Sequence, residues 1–149
     1  MKNKSIIKSL NYIISIRKLI NITVYGKSMS PTLVEKDVVC ISKNEEYHIG
    51  DILVFDYKEE GLLVHRLLAI RDGYICKGDN AFRLEKINHQ CILGKVIAVN
   101  GAGIEKWSLW KCILSYRIGN IFSKNKNITA VKKTLAYKFY SLVVLKNNK

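Results

Sequence analysis

Six short apolar runs between residues 22 and 99 constrain this chain most. They are Ile22–Tyr25, Val38–Ser42, Ile52–Tyr57, Leu62–Ile70, Tyr74–Lys77 and Cys91–Val99. Each is rich in β-branched or aromatic residues and bounded by turn formers, which is the signature of strands. Asp72-Gly73 is the sharpest hairpin signal, Lys58-Glu59-Glu60-Gly61 reads as a second turn, and Gly50-Asp51 closes a polar loop that begins at Lys43. No helical repeat separates one run from the next. Strands joined this way pair antiparallel, so the expected fold is mainly β, an antiparallel barrel-like sheet. A chain of 149 residues is long enough to close one such core.

Helical periodicity flanks this block on both sides. Over residues 5–20, Ile6, Ile7, Leu10, Ile13, Ile14 and Ile20 share one side of a helix, and Lys8, Asn11, Ser15 and Lys18 share the other, with Arg17 intruding on the apolar side. After Asn100-Gly101-Ala102-Gly103, Trp107, Trp110, Leu114, Ile118 and Ile121 recur at helical spacing. A basic linker, Ser123 to Asn127, leads to a weaker basic helix over residues 129–145. The expected organisation is an amphipathic helix in 1–21, a β domain in 22–100 and a basic helical extension in 101–149. Each terminal helix either packs its stripe on the β body or lies on anionic lipid, and the sequence leaves both open.

Charge follows the same division. Residues 1–35 hold six Lys/Arg against one acid, residues 36–100 nine against ten, and residues 101–149 ten against one. Basic ends on a nearly neutral body point to a polyanionic partner. No aromatic-basic motif or zinc finger favours nucleic acid, so an anionic membrane surface is the expected partner. No stretch reaches the roughly 18 uncharged apolar residues of a spanning helix. Ile6 to Val24 is interrupted by Lys8, Arg17 and Lys18 and lacks the core and cleavage site of an export signal. Attachment is therefore expected to be peripheral, with the cytoplasmic face favoured. The four cysteines, Cys40, Cys76, Cys91 and Cys112, form no C-x-x-C pair and read as core thiols; neither metal nor cofactor is expected.

Chemistry concentrates in three stretches. Gly26-Lys27-Ser28-Met29-Ser30-Pro31-Thr32-Leu33 is small, polar and punctuated by proline, so the chain bends there and Ser28 can be held off the strand end. A serine hydroxyl needs a base to become nucleophilic. His65, in Val64-His65-Arg66, shares a strand face with Leu63, Leu67 and Ala69 and so needs a polar partner, either the Ser28 hydroxyl or a backbone carbonyl. The third stretch is Lys77-Gly78-Asp79-Asn80, whose Asp79 taken alone reads as a turn aspartate capping local backbone, although a histidine base works best with an acceptor on its other nitrogen. His48 and His89 lie in polar loops and read as solvated.

In order and spacing, Gly26-Lys27-Ser28-Met29-Ser30-Pro31-Thr32, His65-Arg66 and Gly78-Asp79-Asn80 resemble the signal peptidase I family of the S24–S26 serine peptidase superfamily. Bacterial members carry G-x-S-M-x-P-T at the nucleophile. Members of the endoplasmic reticulum, archaea and some spore formers carry His-Arg where others carry Lys-Arg, and both carry G-D-N. The resemblance covers residues 22–99. It implies a coiled β architecture, Ser28 as nucleophile, His65 as base and Asp79 as the group supporting it. The reticulum-type pattern G-D-N-N-x-x-D-D also places Glu85 on an acidic position, so the third member stays open between Asp79 and Glu85. It further implies an extended peptide substrate paired beside the nucleophile, with small residues before the cut.

The expected function is a serine endopeptidase that cleaves a signal or leader peptide with a Ser28–His65 dyad. Two other readings remain. One is a self-cleaving regulator like the SOS repressors, which use lysine as base and carry a helix-turn-helix for which residues 1–21 are too short. The other is a non-catalytic basic module that binds lipid or nucleic acid.

Overall fold

The computed structural model describes residues 2–43, 46–58, 61–125 and 130–145. Its elements are α1 (Lys2–Arg17), β1 (Leu19–Thr23), β2 (Val38–Ser42), β3 (Ile52–Tyr57), β4 (Gly61–Arg71), β5 (Gly73–Lys77), β6 (Glu85–Ile87), β7 (Ile92–Val99), β8 (Ala102–Gly103), α2 (Leu109–Lys124) and α3 (Ala130–Tyr140). A 3-10 turn, His89–Cys91, leads into β7, and a π-helical segment, Ser141–Leu145, continues α3. The strands form one sheet in the order β1-β2-β7-β3-β4-β5-β6, with β8 on β7, and every neighbouring pair is antiparallel. Register shifts at Cys40/Ile41, Val54/Phe55 and Leu67/Ala69 bend this sheet into an open half-barrel. The mainly β architecture with helices at both ends is the one expected.

β3 lies between β7 and β4 and is buried on both faces. Ile52 and Val54 enter one cluster with Met29, Leu33, Val39, Ile41, Leu93 and Val96. Leu53 and Phe55 enter a second with Leu67, Cys76, Ile87 and Ile92. Each fully buried side chain of this size contributes about 1.5–3 kcal/mol, so the two faces of β3 anchor the sheet. A third cluster, with Leu68, Trp107, Cys112, Tyr140, Val144 and Leu145, holds the C-terminal helices against β4.

The ends differ in detail from the periodicity. α1 stops at Arg17, Lys18 takes a φ of 60°, and strand begins at Leu19, so residues 19–21 belong to the sheet rather than to the helix. Ile7 and Ile14 are buried in the first core cluster and pack that helix on the β body, while Tyr12, Ile13 and Ile16 stay exposed. α2 is buried at Lys111, Cys112, Ser115 and Gly119, and Leu114 and Ile118 of its apolar stripe pack half-buried against the third cluster. Trp107 precedes the helix and is buried, whereas Trp110 and Ile121 face outward. The turn over Lys58–Gly61 and the linker over Ser123–Asn127 fall partly outside the described residues, at Glu59, Glu60, Lys126 and Asn127. No helix among the described residues is long and apolar enough to cross a membrane.

Candidate active site

The segment between β1 and β2 is closed at its base by two backbone bonds, Val24 N–H to Asp37 O (2.8 Å) and Lys36 N–H to Val24 O (2.9 Å). Met29 and Leu33 leave it for the core and are buried, and Met29 Sδ accepts the Asp79 N–H at 3.4 Å. These two anchors leave Ser28 exposed at the tip of the turn. β4 carries His65 beneath it, 5% exposed, with its ring edge-on to Phe55 at 6.1 Å. His65 Nε2 lies 3.1 Å from Ser28 Oγ. His65 Nδ1 lies 3.0 Å from Glu85 Oε2, and the second oxygen of Glu85 accepts Arg83 Nε–H at 2.8 Å.

Asp79 stands elsewhere, which corrects the first choice made from sequence. Its carboxylate takes Arg66 Nε–H at 2.9 Å and Arg66 Nη2–H at 2.7 Å, and it accepts the Thr32 hydroxyl at 2.6 Å. The physical reason is strand alternation. His65 and Arg66 are consecutive in β4 and point to opposite faces. Leu67, Cys76 and Glu85 are register partners across β4, β5 and β6, so Glu85 shares the face of His65. Arg66 pairs with Lys77, so Asp79, two residues beyond Lys77, arrives on the arginine side. Arg66 is also held by Gly50 O at 2.9 Å and lies 4.2 Å from the Trp107 ring. This bidentate, desolvated ion pair ties β4 to the nucleophile turn through Thr32, a structural duty.

The Gly78–Asn80 loop lies directly on Ser28. A Cβ at Gly78 would sit 2.6 Å from Ser28 O and 3.1 Å from His65 Nε2, so only glycine admits this approach. Asn80 N–H donates to Ser28 O at 2.7 Å, and Asn80 Nδ2 donates to Lys27 O at 3.2 Å. Thr32, Arg66 and Asn80 all stand in the three sequence stretches but were given no role there. Their partners follow from the register. Beside Ser28 a cleft of about 230 Å³ is lined by Ile22–Gly26, Met29 and Leu62–Val64. β4 pairs with β5 only from Arg66 onward, so along the cleft, among the described residues, its Leu62–Val64 edge pairs with β3 alone.

A family model described as Peptidase S24-like matches residues 5–97. The chain belongs to the Peptidase S24-like family. No curated protein and no solved structure matches it. The S24-like match begins within α1 and ends within β7, so Ser28, His65, Asp79 and Glu85 lie inside it and α2 and α3 lie beyond it. Membership makes this a serine peptidase domain, and its half-barrel sheet agrees with the family's fold.

Proposed function

We propose that this S24-like chain is an endopeptidase of the signal-peptidase type, cutting a signal or leader peptide with a Ser28–His65 dyad that Glu85 orients. The observation that carries the reading is the 3.1 Å contact between Ser28 Oγ and His65 Nε2 at the end of an apolar cleft. An extended peptide adds to the Leu62–Val64 edge through backbone hydrogen bonds, and small apolar side chains enter the cleft. His65 Nε2 takes the Ser28 proton as Oγ attacks the scissile carbonyl, and the Ser28 N–H donates to the developing oxyanion. The imidazolium then protonates the leaving amine, and water, activated by the same nitrogen, hydrolyses the acyl-serine ester. Glu85 fixes Nδ1–H, which leaves Nε2 free to accept.

A fluorophosphonate that esterifies activated serines tests this directly. The expected result is one adduct on Ser28, absent in His65→Ala. Labelling that persists without the imidazole overturns the dyad. Self-cleavage is the second reading, and the family match supports it. The superfamily's lysine-dependent relay needs an amine at the serine, but Lys77 Nζ is bonded to Gly78 O, Ala81 O and Tyr140 OH. A purified chain that shortens on standing would restore that reading.

The partner surface we assign is anionic lipid. Leu109, Trp110, Ile113 and Ile121 are exposed along one side of α2, interleaved with exposed Arg117 and Lys124. Apolar anchors flanked by cations suit a headgroup interface. Cosedimentation with phosphatidylglycerol vesicles should fall with added salt and should fall in Trp110→Ser, with phosphatidylcholine vesicles binding far less. Equal binding to both vesicle types removes the electrostatic part of this assignment.

A further inference from the structure

α2, α3 and the π-helical segment lie outside the family match, yet they grip the loop that touches Ser28. Phe82, in that loop, stacks on Phe122 of α2 with centroids 4.3 Å apart and planes 8° from parallel. Tyr137 and Tyr140 of α3 approach Phe82 edge-on at 6.3 and 5.8 Å. α2 lies so close that a Cβ at Gly119 would be 2.9 Å from Leu84 Cδ2 and 3.1 Å from Lys77 Cδ. The aromatic ring of Phe82 is thus a plug by which the helices hold the loop in place.

Polar contacts extend the grip to the nucleophile. The Tyr137 hydroxyl donates to Asn80 Oδ1 at 2.6 Å. That bond fixes the Asn80 amide so that its Nδ2 faces Lys27 O, while the Asn80 backbone N–H meets Ser28 O. One tyrosine on α3 is therefore two hydrogen bonds from the residues flanking Ser28 Oγ. From the same helix, Tyr140 OH accepts from Lys77 Nζ at 3.1 Å and shares a bond with Ser115 Oγ of α2 at 3.0 Å. Lys77 Nζ also donates to Gly78 O at 2.8 Å and Ala81 O at 2.5 Å, so the ammonium clips both ends of the loop's tight turn.

We propose that Tyr137 is a positioning residue for the nucleophile, acting through Asn80, and that the C-terminal helices complete the catalytic turn of a domain that the family match alone leaves open on this side. The inference rests on the peptidase reading, since positioning matters only if Ser28 reacts. Without the Tyr137 hydroxyl the Asn80 amide can rotate, the Lys27–Ser28 backbone loses a clamp, and Oγ spends less time within reach of His65 Nε2.

The test uses the full chain with Tyr137→Phe, which keeps the ring against Phe82 and removes only the hydroxyl. Tyr137 is 40% exposed, so the variant should fold as the parent does. Expected results are kcat about tenfold lower with KM unchanged, a tenfold change being the scale of one hydrogen bond, and faster exchange of the Asn80 amide hydrogen. Combining it with Asn80→Ala should add little to the loss from Asn80→Ala alone, because both act on one path. An active parent whose kcat is unmoved by Tyr137→Phe overturns the proposal. A parent inert to both peptide and fluorophosphonate sinks the peptidase reading instead. In that case Asn80 exchange decides the clamp: acceleration in Tyr137→Phe upholds it and unchanged exchange ends it.

Discussion

Ser28→Ala should lower kcat for peptide cleavage by about 10⁶-fold, and His65→Ala by a similar factor, because neither half of a serine–imidazole relay works without the other. The same argument makes the losses non-additive, so the double variant should be no worse than either single one. Ser28 is exposed and its side chain makes one contact with His65, so its loss should leave the melting temperature within about 2 °C of the parent. Removing the imidazole disturbs more. Its ring stands against Phe55 and answers the buried Glu85, so His65→Ala should melt lower as well as lose activity. Circular dichroism melts beside initial rates on a peptide with small residues before the cut separate these effects. A Ser28→Ala preparation that cleaves at the parental rate would end the hydrolase reading.

Glu85→Gln should lower kcat by about 10⁴-fold while the protein stays folded. The carboxylate accepts a proton-bearing Nδ1 and so fixes the tautomer in which Nε2 has a lone pair facing Ser28. A glutamine whose oxygen keeps Arg83 presents its NH₂ to His65 and selects the opposite tautomer, with Nε2 protonated and unable to act as base. Arg83 is 54% exposed, so water solvates it if its partner weakens. Asp79→Ala makes the contrasting experiment. Arg66 and Asp79 are each 1% exposed, and removing the acid strands a buried guanidinium. A loss of roughly 3–5 kcal/mol of stability is expected, large against the total for one domain. If urea titrations gave Asp79→Ala the parental midpoint, and rates gave Glu85→Gln the parental kcat, the assignment of these two carboxylates would be reversed.

The difference between those acids also marks how far sequence could go. Val38–Ser42 and Ile52–Tyr57 are strands with the bounds their residues announce, because alternating β-branched side chains between turn formers admit little else. Ser28 and His65 are brought together, as the three stretches imply. Glu85 stays undecided at that level because it opens a strand of three residues, Glu85–Ile87, within a polar span. Three residues carry no readable periodicity, and only their register against β5 puts the carboxylate on the face of the imidazole. The N-terminal boundary fails for a related reason. Ile20 and Ile22 fit either a helical stripe or a strand, and the positive φ at Lys18, a residue with no special preference for it, ends the helix without a sequence signal. On α2 the large apolar residues form the obvious stripe, and Leu114 and Ile118 of it are half-buried, yet the deepest burial belongs to Cys112, Ser115 and Gly119, where small size lets Gly119 close on Lys77 and Leu84.

Adjacent placement of His65 and Arg66 has a further consequence. One backbone step separates the residue that moves protons from the residue that locks the architecture, and they look out on opposite sides of the same ribbon. Sliding that ribbon by a single position would present a permanently charged cation to the serine and an imidazole to the aspartate. No intermediate alignment works at reduced speed, so mispaired molecules should be silent rather than sluggish. A preparation that loses activity through mispairing is then a mixture of fully competent and dead copies, which active-site titration can count.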